Sequence, residues 1–531
     1  MGTRSAGLSL IDVYRPAAAR AAPIDDERPP TVRRTAWATA IMATLLTVTA
    51  VPLATAAEAA ASCGTVHGTV ADEFTGENLE GIVVDVIGTF YYADRGVLAT
   101  ATTAADGSFS IPVSCWEVSA TTRTTDPTGF YGTRFGLAGT DVESGTGFWI
   151  GGKGEDVAGD RSIRLTPPGR LVPVEPTRVI DTRVDEAGPL APGERARFLL
   201  SDLPDHTVAV VLNLTATQGT ASTSYISSLP YENAEVRSSV INSSAGRDVA
   251  NLVTIPVSRW TESGEPEVIL YNNAGYTHVV ADIQGYYSAD EGAGFEPIAP
   301  TRVLDTRGSA PLGAHGTRSL VLAGAGKVAP ADAVAAAVTI TATEGTARTS
   351  YLSAYPSDAV DGPSTSVLNS YRGDDVPNLA IVPLGPDGAL TLYNDQGTTH
   401  VVVDVVGWFV ETRGADFYPL QPQRAVGSGT VDTGRTLQFT AQSAGVEMRD
   451  DAVALSLNLT TAAASKLSYL TVFPTGTARP FASNANARPG ADIATGVITR
   501  LGAGPAFSVY NNSGDVIALV DVSGYFARNN D

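Results

Sequence analysis

The sequence predicts an all-β protein in which tandem β-sandwich domains follow an N-terminal signal peptide. Short segments rich in Val, Thr and Ala alternate apolar with polar residues, and Gly (53) and Pro (32) are frequent between them. A phrase of eighteen residues also recurs three times, which indicates repeated units. A chain of 531 residues is too long for one core, so we expect several domains arranged as beads on a string.

The charge balance excludes one class of partner. Lys and Arg number 35 against 56 Asp and Glu, which gives a net charge of −21. Such a surface repels a polyanion, so we expect no nucleic-acid partner. The acidic residues are dispersed along the chain, which is typical of a soluble, exported protein.

Residues 1–61 are predicted to be an N-terminal leader with a signal peptide. Arg33 and Arg34 precede an uncharged run that lasts until Glu58, and small-residue triplets suited to cleavage lie at its end. The protein is therefore expected to be secreted or associated with the cell envelope. In the alternative interpretation the leader is not cleaved and anchors the protein, because the uncharged run is long enough to span a bilayer.

The two cysteines agree with export. Cys63 and Cys115 both lie early in the chain, and a single pair in an oxidising compartment is more typical of a disulfide than of a metal site. We therefore predict a Cys63–Cys115 disulfide. Lipidation of Cys63 is the minority interpretation, because "AAASC" lacks the large apolar residue that a lipobox has three positions earlier.

The first domain is predicted over residues 62–168. It opens with "CGTVHGTVADEFTGENLEGIVVDV", which indicates a strand, a turn at Gly76 and a strand that alternates through Ile82, Val84 and Val86. These residues resemble the carboxypeptidase regulatory-like domain, a transthyretin-like β-sandwich related to the Cna-B modules of bacterial adhesin stalks. The resemblance implies a non-catalytic sandwich, often grouped with carbohydrate-binding-like folds.

Three repeats are predicted over residues 169–290, 291–412 and 413–531. Each opens with a Pro-x-Arg phrase, continues with a phrase such as "NLTATQGTASTSYIS" and closes with the eighteen-residue phrase. The Pro-x-Arg arginines lie 124 and 122 residues apart, a period long enough for each copy to be a domain with its own core.

The closing phrase reads "LYNNAGYTHVVADIQGYY" at 270–287, "LYNDQGTTHVVVDVVGWF" at 392–409 and "VYNNSGDVIALVDVSGYF" at 509–526. The Asn-rich stretch ending in Gly is typical of a turn, so we predict a hairpin. After the turn, alternation places one apolar set on the core face, from Val279 to Tyr287 in the first copy. The opposite face keeps its character only at an Asp and at a terminal aromatic.

The repeated Asp is predicted to pair with the Pro-x-Arg arginine of the same copy. A carboxylate among apolar residues needs a partner, and this arginine is the only basic residue that recurs in all three copies. The expected ties join Asp282 with Arg178, Asp404 with Arg302, and Asp521 with Arg424. In the alternative interpretation these aspartates are ligands for Ca²⁺ or for sugar hydroxyls; no other cofactor is expected.

The recurring aromatic residues are candidates for stacking on sugar rings. They are Tyr286, Trp408 and Tyr525 at the end of the closing phrase, and Tyr225, Tyr351 and Tyr469 in the Ser-Tyr phrase. Flat rings with a polar tip suit both stacking and strand packing, so core packing is the alternative for all six.

Signs of catalysis are scarce. The chain has five His, no His-Glu-x-x-His and no Gly-x-Ser-x-Gly, so we expect no enzyme and assign no catalytic or metal-binding residues. The Asp-Thr-Arg phrase (Asp181 to Arg183, Asp305 to Arg307) becomes Gly427-Ser428-Gly429 in the third copy. It is therefore either a tolerated loop or a function of the first two copies only.

The repeat resembles the tandem β-rich modules appended to secreted cell-wall hydrolases of high-GC Gram-positive bacteria. The motifs are Pro-x-Arg followed by Asp-Thr-Arg, Asn-Leu-Thr-Ala-Thr, Ser-Tyr-Leu, and Tyr-Asn followed by Val-Asp-x-x-Gly-Tyr-Phe. The resemblance implies a secreted or envelope-associated protein, and we expect a monomer that binds peptidoglycan or another extracellular polysaccharide through several weak sites. The alternatives are a structural or adhesive stalk that binds proteins and, ranked last, a cryptic extracellular glycosidase or amidase.

Overall fold

The computed structural model describes residues 13–14, 62–90, 93–114, 118–135, 148–150, 161–185, 187–259, 264–360, 362–425, 428–440 and 447–528. Every regular element in these ranges is a β-strand, so the prediction of an all-β chain with tandem sandwich domains is confirmed. No helix within the same ranges is long and apolar enough to cross a membrane. Apart from Val13–Tyr14 (β1), the predicted leader and signal peptide lie outside the described residues.

The first domain is a two-sheet sandwich. Its strands are β2 (Ser62–Asp72), β3 (Val83–Phe90), β4 (Ala93–Thr102), β5 (Ser108–Ser114), β6 (Val118–Thr125), β7 (Arg134–Phe135), β8 (Phe148–Ile150) and β9 (Arg161–Leu165). One sheet has the order β5-β2-β9, and the other has the order β4-β3-β6-β7 with β8 also on β6. Ile82, Val84 and Val86 are buried between them, in line with the alternation of the sequence. Cys115 lies outside the described residues, so the disulfide with Cys63 stays a prediction.

The three repeats have one strand plan. Repeat 1 contains β10 (Arg170–Asp181), β11 (Arg195–Leu199), β12 (Thr207–Thr217), β13 (Ser224–Leu229), β14 (Ile241–Ser243), β15 (Val249–Pro256), β16 (Glu267–Asn272) and β17 (His278–Ser288). Repeat 2 contains β18 (Gly294–Asp305), β19 (Gly316–Val321), β20 (Ala333–Thr343), β21 (Thr349–Pro356), β22 (Leu368–Tyr371), β23 (Val376–Pro383), β24 (Ala389–Asn394) and β25 (His400–Val410). Repeat 3 contains β26 (Asp416–Arg424), β27 (Gly429–Val431), β28 (Thr436–Thr440), β29 (Ala452–Ala462), β30 (Ser468–Pro474), β31 (Ala485–Ala487), β32 (Ile493–Arg500), β33 (Ala506–Asn511) and β34 (Val516–Ala527).

Each repeat is a sandwich of two sheets: an inner sheet that faces the other repeats and an outer sheet that faces away from them. The inner sheets have the orders β10-β17-β12-β15, β18-β25-β20-β23 and β26-β34-β29-β32, and β27 also pairs with β34. The outer sheets have the orders β11-β16-β13-β14, β19-β24-β21-β22 and β28-β33-β30-β31, with β1 added to β11. The two sheets of each repeat enclose a core of that repeat alone.

The eighteen-residue phrase does not form the predicted hairpin. In repeat 1 its first strand, β16, belongs to the outer sheet and its second, β17, belongs to the inner sheet. The turn therefore crosses from one sheet to the other, because Leu270 of β16 and Val279 of β17 both pack into the core between the sheets. The turn glycine takes the left-handed conformation that the sequence indicated, with φ of 62° at Gly275.

A buried asparagine fixes this turn. The Asn272 side chain is fully buried, and its Nδ2 donates to the carbonyls of Leu190 (3.0 Å) and Gly275 (2.6 Å). Its Oδ1 accepts from the Ser224 hydroxyl (3.1 Å), which itself accepts from the Ala274 amide (2.9 Å). The same serine–asparagine bond recurs between Ser350 and Asn394 and between Ser468 and Asn511. The Ser-Tyr and Tyr-Asn phrases thus recur together because they close one turn.

A bulge changes the face that each closing strand presents. The pairing of β25 with β20 shifts between Ala337 and Val338, next to Gly407. A Cβ on Gly407 would lie 2.4 Å from the ring of Phe295, so only glycine fits there. Val405 before the bulge therefore lies in the core of repeat 2, whereas Phe409 after it points the other way.

The face beyond the bulge forms a second core that the three repeats share. Its large side chains come from all of them: Leu171, Tyr287, Phe295, Phe409, Phe417 and Phe526. Phe526 of repeat 3 has its ring centre 4.5 Å from that of Phe295 in repeat 2 and 6.2 Å from that of Tyr287 in repeat 1. The inner sheets are thus buried on both faces, which differs from separate beads on a string.

Backbone hydrogen bonds join the repeats into a closed ring. Leu171 exchanges two bonds with Ala293, and Phe295 exchanges two with Ala415, each between 2.7 and 2.9 Å. The ring closes where Gly169 and Phe417 exchange two bonds of 2.8 Å. This is the head-to-tail arrangement of a cyclic trimer made within one chain.

The first domain packs against this ring through repeats 1 and 3. The Arg123 guanidinium lies 3.3 Å from the Glu447 carboxylate of repeat 3, and Tyr418 donates its hydroxyl to the Gly129 carbonyl. On the side of repeat 1, the Arg259 guanidinium lies 4.9 Å from the ring centre of Phe74. The sandwich of the first domain is therefore held at one side of the ring.

Candidate binding clefts between the repeats

The structure brings together the three Asp–Arg pairs that the sequence proposed. Each first strand pairs with the last strand of its repeat, and the register sets arginine opposite aspartate. The arginine Nε lies 2.9 Å from the carboxylate in the Arg178–Asp282 and Arg302–Asp404 pairs, and 2.5 Å in the Arg424–Asp521 pair. A second nitrogen, Nη2, contacts the other oxygen in every pair, so each contact is bidentate.

Burial and the neighbouring guanidinium shift the pKa of these carboxyls in opposite directions. Burial raises the pKa of Asp282, Asp404 and Asp521 above the ordinary aspartate value, and the arginine opposite offsets part of that rise. The guanidinium bonds both oxygens of each carboxylate, so the buried charge is compensated within the repeat and does not need Ca²⁺ or a sugar hydroxyl as a partner. No cluster of three or more metal-binding side chains is found within the described part of the chain.

The Asp-Thr-Arg phrase extends two of the three ties. The Asp181 carboxylate accepts from Nε (2.8 Å) and Nη2 (2.6 Å) of Arg183, and also from Arg178 at 3.3 Å. The Asp305 carboxylate likewise accepts from both Arg307 and Arg302. The hydrogen bond from Arg307 lowers the pKa of Asp305 to about 2. The third copy has Gly427 and Gly429 in the sequence at these places, and Asp521 is the one carboxylate that pairs with Arg424 among the described residues.

The terminal aromatics of the closing phrase do not form an open platform. Tyr525 is 2% exposed and stacks on Tyr418 with ring centres 4.8 Å apart, which corrects its prediction as a sugar-stacking residue. Tyr286 and Trp408 are partly buried and pack against the cores of their own repeats. The bulge explains this placement, because it turns these rings back toward the sandwich core.

The Ser-Tyr tyrosines lie in clefts at the three junctions between repeats. The first cleft, between repeats 1 and 2, has a volume of about 350 Å³ and contains Tyr351. The second, between repeats 2 and 3, has about 300 Å³ and contains Tyr469. The third, between repeats 3 and 1, has about 480 Å³ and contains Tyr225. The closed ring of repeats thus produces three comparable junctions.

The three clefts share one set of five residues. One repeat supplies the Pro-x-Arg arginine, a threonine of β12, β20 or β29 and an aspartate, and the next repeat around the ring supplies the tyrosine and an asparagine. The sets are Arg178, Thr215, Asp248, Tyr351 and Asn369; Arg302, Thr341, Asp375, Tyr469 and Asn486; and Arg424, Thr460, Asp492, Tyr225 and Asn242. Guanidinium, hydroxyl, carboxylate, amide and aromatic ring together can bind a sugar through hydrogen bonds and stacking.

Three polar atoms of cleft residues have no hydrogen-bond partner within the part of the chain that the structure describes. The Thr341 and Thr460 hydroxyls and the Asn242 Oδ1 are buried without a hydrogen bond. Buried polar groups are normally paired, but these atoms are closed off from solvent and so offer no contact to a ligand in the clefts.

The residue at one rim position differs among the three clefts. This position lies in the loops β13–β14, β21–β22 and β30–β31. It is Arg237 in the third cleft, Ser364 in the first and Phe481 in the second. The Ser364 hydroxyl donates to the Pro176 carbonyl (3.1 Å) and so bridges the first cleft. Phe481 is 94% exposed. This residue was missed in the sequence, because one Phe in a loop gives no sign of its exposure.

Comparisons with known proteins give no family for the chain. No protein-family model matches it, and no curated protein matches it significantly. A solved structure described as the triple jelly roll fold and turret assembly of an archaeal virus is 11% identical over 68% of this chain and 91% of that chain, with a TM-score of 0.15. BcpA, the major pilin subunit of Bacillus cereus, is 12% identical over 67% of this chain and 89% of its own, also with a TM-score of 0.15. At this TM-score neither likeness carries an argument about fold or ligand.

Proposed function

We propose that the protein is a secreted, non-catalytic module that binds peptidoglycan or another extracellular polysaccharide at the junctions between its repeats. The observation that carries the proposal is the recurrence of one polar and aromatic residue set in three clefts. A polymer of repeating sugars presents the same groups many times, so three weak sites held in fixed positions gain affinity together.

The sequence resemblances support the same class. The repeat motifs are similar to modules that accompany secreted cell-wall hydrolases, and the first domain is similar to carboxypeptidase regulatory-like and Cna-B-like sandwiches. In this proposal the predicted signal peptide exports the chain, so the clefts face the extracellular space. In this proposal the ligand is a cell-wall or extracellular glycan and no cofactor is required.

Co-sedimentation with insoluble polymers tests the proposal. The purified protein is incubated with peptidoglycan and with a panel of insoluble polysaccharides, and soluble sugar is assayed in the same tubes. We expect saturable sedimentation that is lost when Tyr225, Tyr351 and Tyr469 are all changed to Ala. Trp408→Ala is the matched control, because this aromatic packs against a sandwich core rather than in a cleft.

The other outcomes contradict the proposal in different ways. Release of soluble sugar would assign a catalytic function. Absence of sedimentation with every polymer would favour the adhesive-stalk alternative, which the docking of the first domain against repeats 1 and 3 also suits. Sedimentation that survives the triple tyrosine substitution would place binding outside the clefts.

A further inference from the structure

We propose that the second cleft binds a uronic-acid polysaccharide, with a sugar ring stacked on Phe481 and the sugar carboxylate paired with Arg479. This inference rests on the proposed function, and it adds the junction that dominates binding and the chemical class of the sugar. It follows from two features of the loop between β30 and β31 that the other repeats lack.

The first feature is the exposed ring of Phe481. It is 94% exposed on the rim of a cleft that also contains Tyr469. The fold does not require an aromatic there, because the corresponding residues are Arg237 and Ser364. The next residue, Ala482, is buried, and its carbonyl accepts from the Thr471 hydroxyl (2.7 Å), which holds the segment in place. A phenyl ring presented from an anchored segment suits stacking on the apolar face of a sugar.

The second feature is the guanidinium of Arg479. It lies 3.7 Å from the ring centre of Tyr510, and no carboxylate of the described residues lies within 4.0 Å of it. The two other arginines of this cleft, Arg302 and Arg307, are already paired with aspartates. The net charge of −21 repels a polyanion over long distances, but at physiological salt that repulsion is screened beyond about 8 Å. At contact distance, an arginine oriented by an aromatic ring and without an ion-pair partner among the described residues is suited to a sugar carboxylate.

The charges that line the cleft agree with an acidic sugar. Arg302 and Arg307 are neutralised by Asp404 and Asp305, and the Asp375 carboxylate accepts from the Thr343 hydroxyl (2.5 Å), which leaves Arg479 as the cleft arginine without an ion pair among the described residues. A ligand carboxylate is therefore expected at Arg479, two positions before Phe481 in the same loop. Asp375, which also lines the cleft, would accept hydroxyl groups of a neighbouring sugar.

The test compares polygalacturonate with its fully methyl-esterified form, which has the same backbone without the charge. Binding of the purified protein is measured by affinity electrophoresis at about 150 mM salt, where a Debye length of about 8 Å screens the net charge of the chain. We expect at least tenfold tighter binding to the acid form. Phe481→Ala and Arg479→Gln should each weaken that binding at least fivefold.

Val360→Ala is the matched control. Val360 is also 94% exposed and lies in the corresponding loop of repeat 2, but it lines none of the three junction clefts described above. Its substitution should leave binding unchanged. All three side chains are exposed, so the variants are expected to keep the melting temperature of the wild type, which is measured alongside.

The outcomes separate this inference from the proposed function. Equal binding of both polymers, or binding that survives both Phe481→Ala and Arg479→Gln, overturns the acidic-sugar inference alone. Sedimentation with peptidoglycan but no binding to polygalacturonate has the same meaning. Failure to bind any polymer overturns both.

Discussion

The core shared by the repeats predicts that they unfold together, and Phe526→Ala tests this prediction. Phe526 is 0% exposed, and its ring touches aromatic rings from all three repeats, the nearest being Phe295 at 4.5 Å and Phe417 at 5.0 Å. Truncation of a buried Phe to Ala removes its transfer free energy and leaves a cavity, which together cost about 3–5 kcal/mol. Because the residue lies between repeats, this loss also weakens their coupling.

Phe439→Ala is the matched control for that experiment. Phe439 is 1% exposed and stacks on Phe507 at 5.0 Å, inside the core of repeat 3 alone. Both variants should lower the free energy of unfolding by a similar amount, about 3–5 kcal/mol. Only Phe526→Ala should also lower the denaturant m-value, because repeat 3 can then unfold without the other two.

Urea unfolding monitored by fluorescence and by circular dichroism measures both quantities. The wild type should lose the three repeats in one transition. Three separate transitions in the wild type, with Phe526→Ala shifting only one of them, would refute the shared core. Equal m-values in the two variants would show that this core does not couple the repeats.

Three further substitutions test individual contacts. Arg302→Met removes the counter-ion of Asp404, a carboxyl whose pKa is already raised by burial. The free energy of unfolding should fall by about 2–3 kcal/mol at pH 7, and this deficit, measured by urea unfolding, should shrink toward pH 4 as the carboxyl is protonated. A deficit that does not change with pH would contradict this assignment. Tyr287→Phe removes a buried hydroxyl that has no hydrogen-bond partner among the described residues and should raise the melting temperature, with a gain of about 1 kcal/mol; a lower melting temperature would show that the hydroxyl is bonded. Asn378→Ala removes the buried hydrogen bond from Asn378 to Asn213 across the first junction (3.0 Å) and should lower the free energy of unfolding by about 1–3 kcal/mol. Amide hydrogen exchange should become faster in both repeats 1 and 2; faster exchange in repeat 2 alone would count against this contact.

The sequence alone determined the strand content of the chain, the number of repeats and the Asp–Arg pairs within each repeat. Strand-like alternation and frequent turn residues predicted an all-β chain, and the spacing of the Pro-x-Arg phrases predicted three units of one plan. The Asp–Arg pairs could be proposed because a carboxylate on an apolar strand needs a partner and one basic residue recurred with it. These inferences depend on residues within one repeat, where chain order limits the alternatives.

The path of the closing phrase depended on tertiary structure. A turn with apolar strands on both sides can join neighbours in one sheet or connect two sheets, and the sequence predicted the first. The structure has the second, because Leu270 and Val279 face each other across a core. The bulge beside Gly407 was also hidden, since only the nearby Phe295 ring shows why no Cβ fits there.

The clefts depended on how the repeats are arranged. Arg178 and Tyr351 lie in different repeats and 173 positions apart in the chain, and no local pattern relates them. Their proximity arises because apolar residues beyond the bulge, such as Phe409 and Phe526, leave water by packing on the other repeats. The sequence therefore determined which residues recur in each domain. Only burial of the second face of each inner sheet decided which of them meet at a binding cleft.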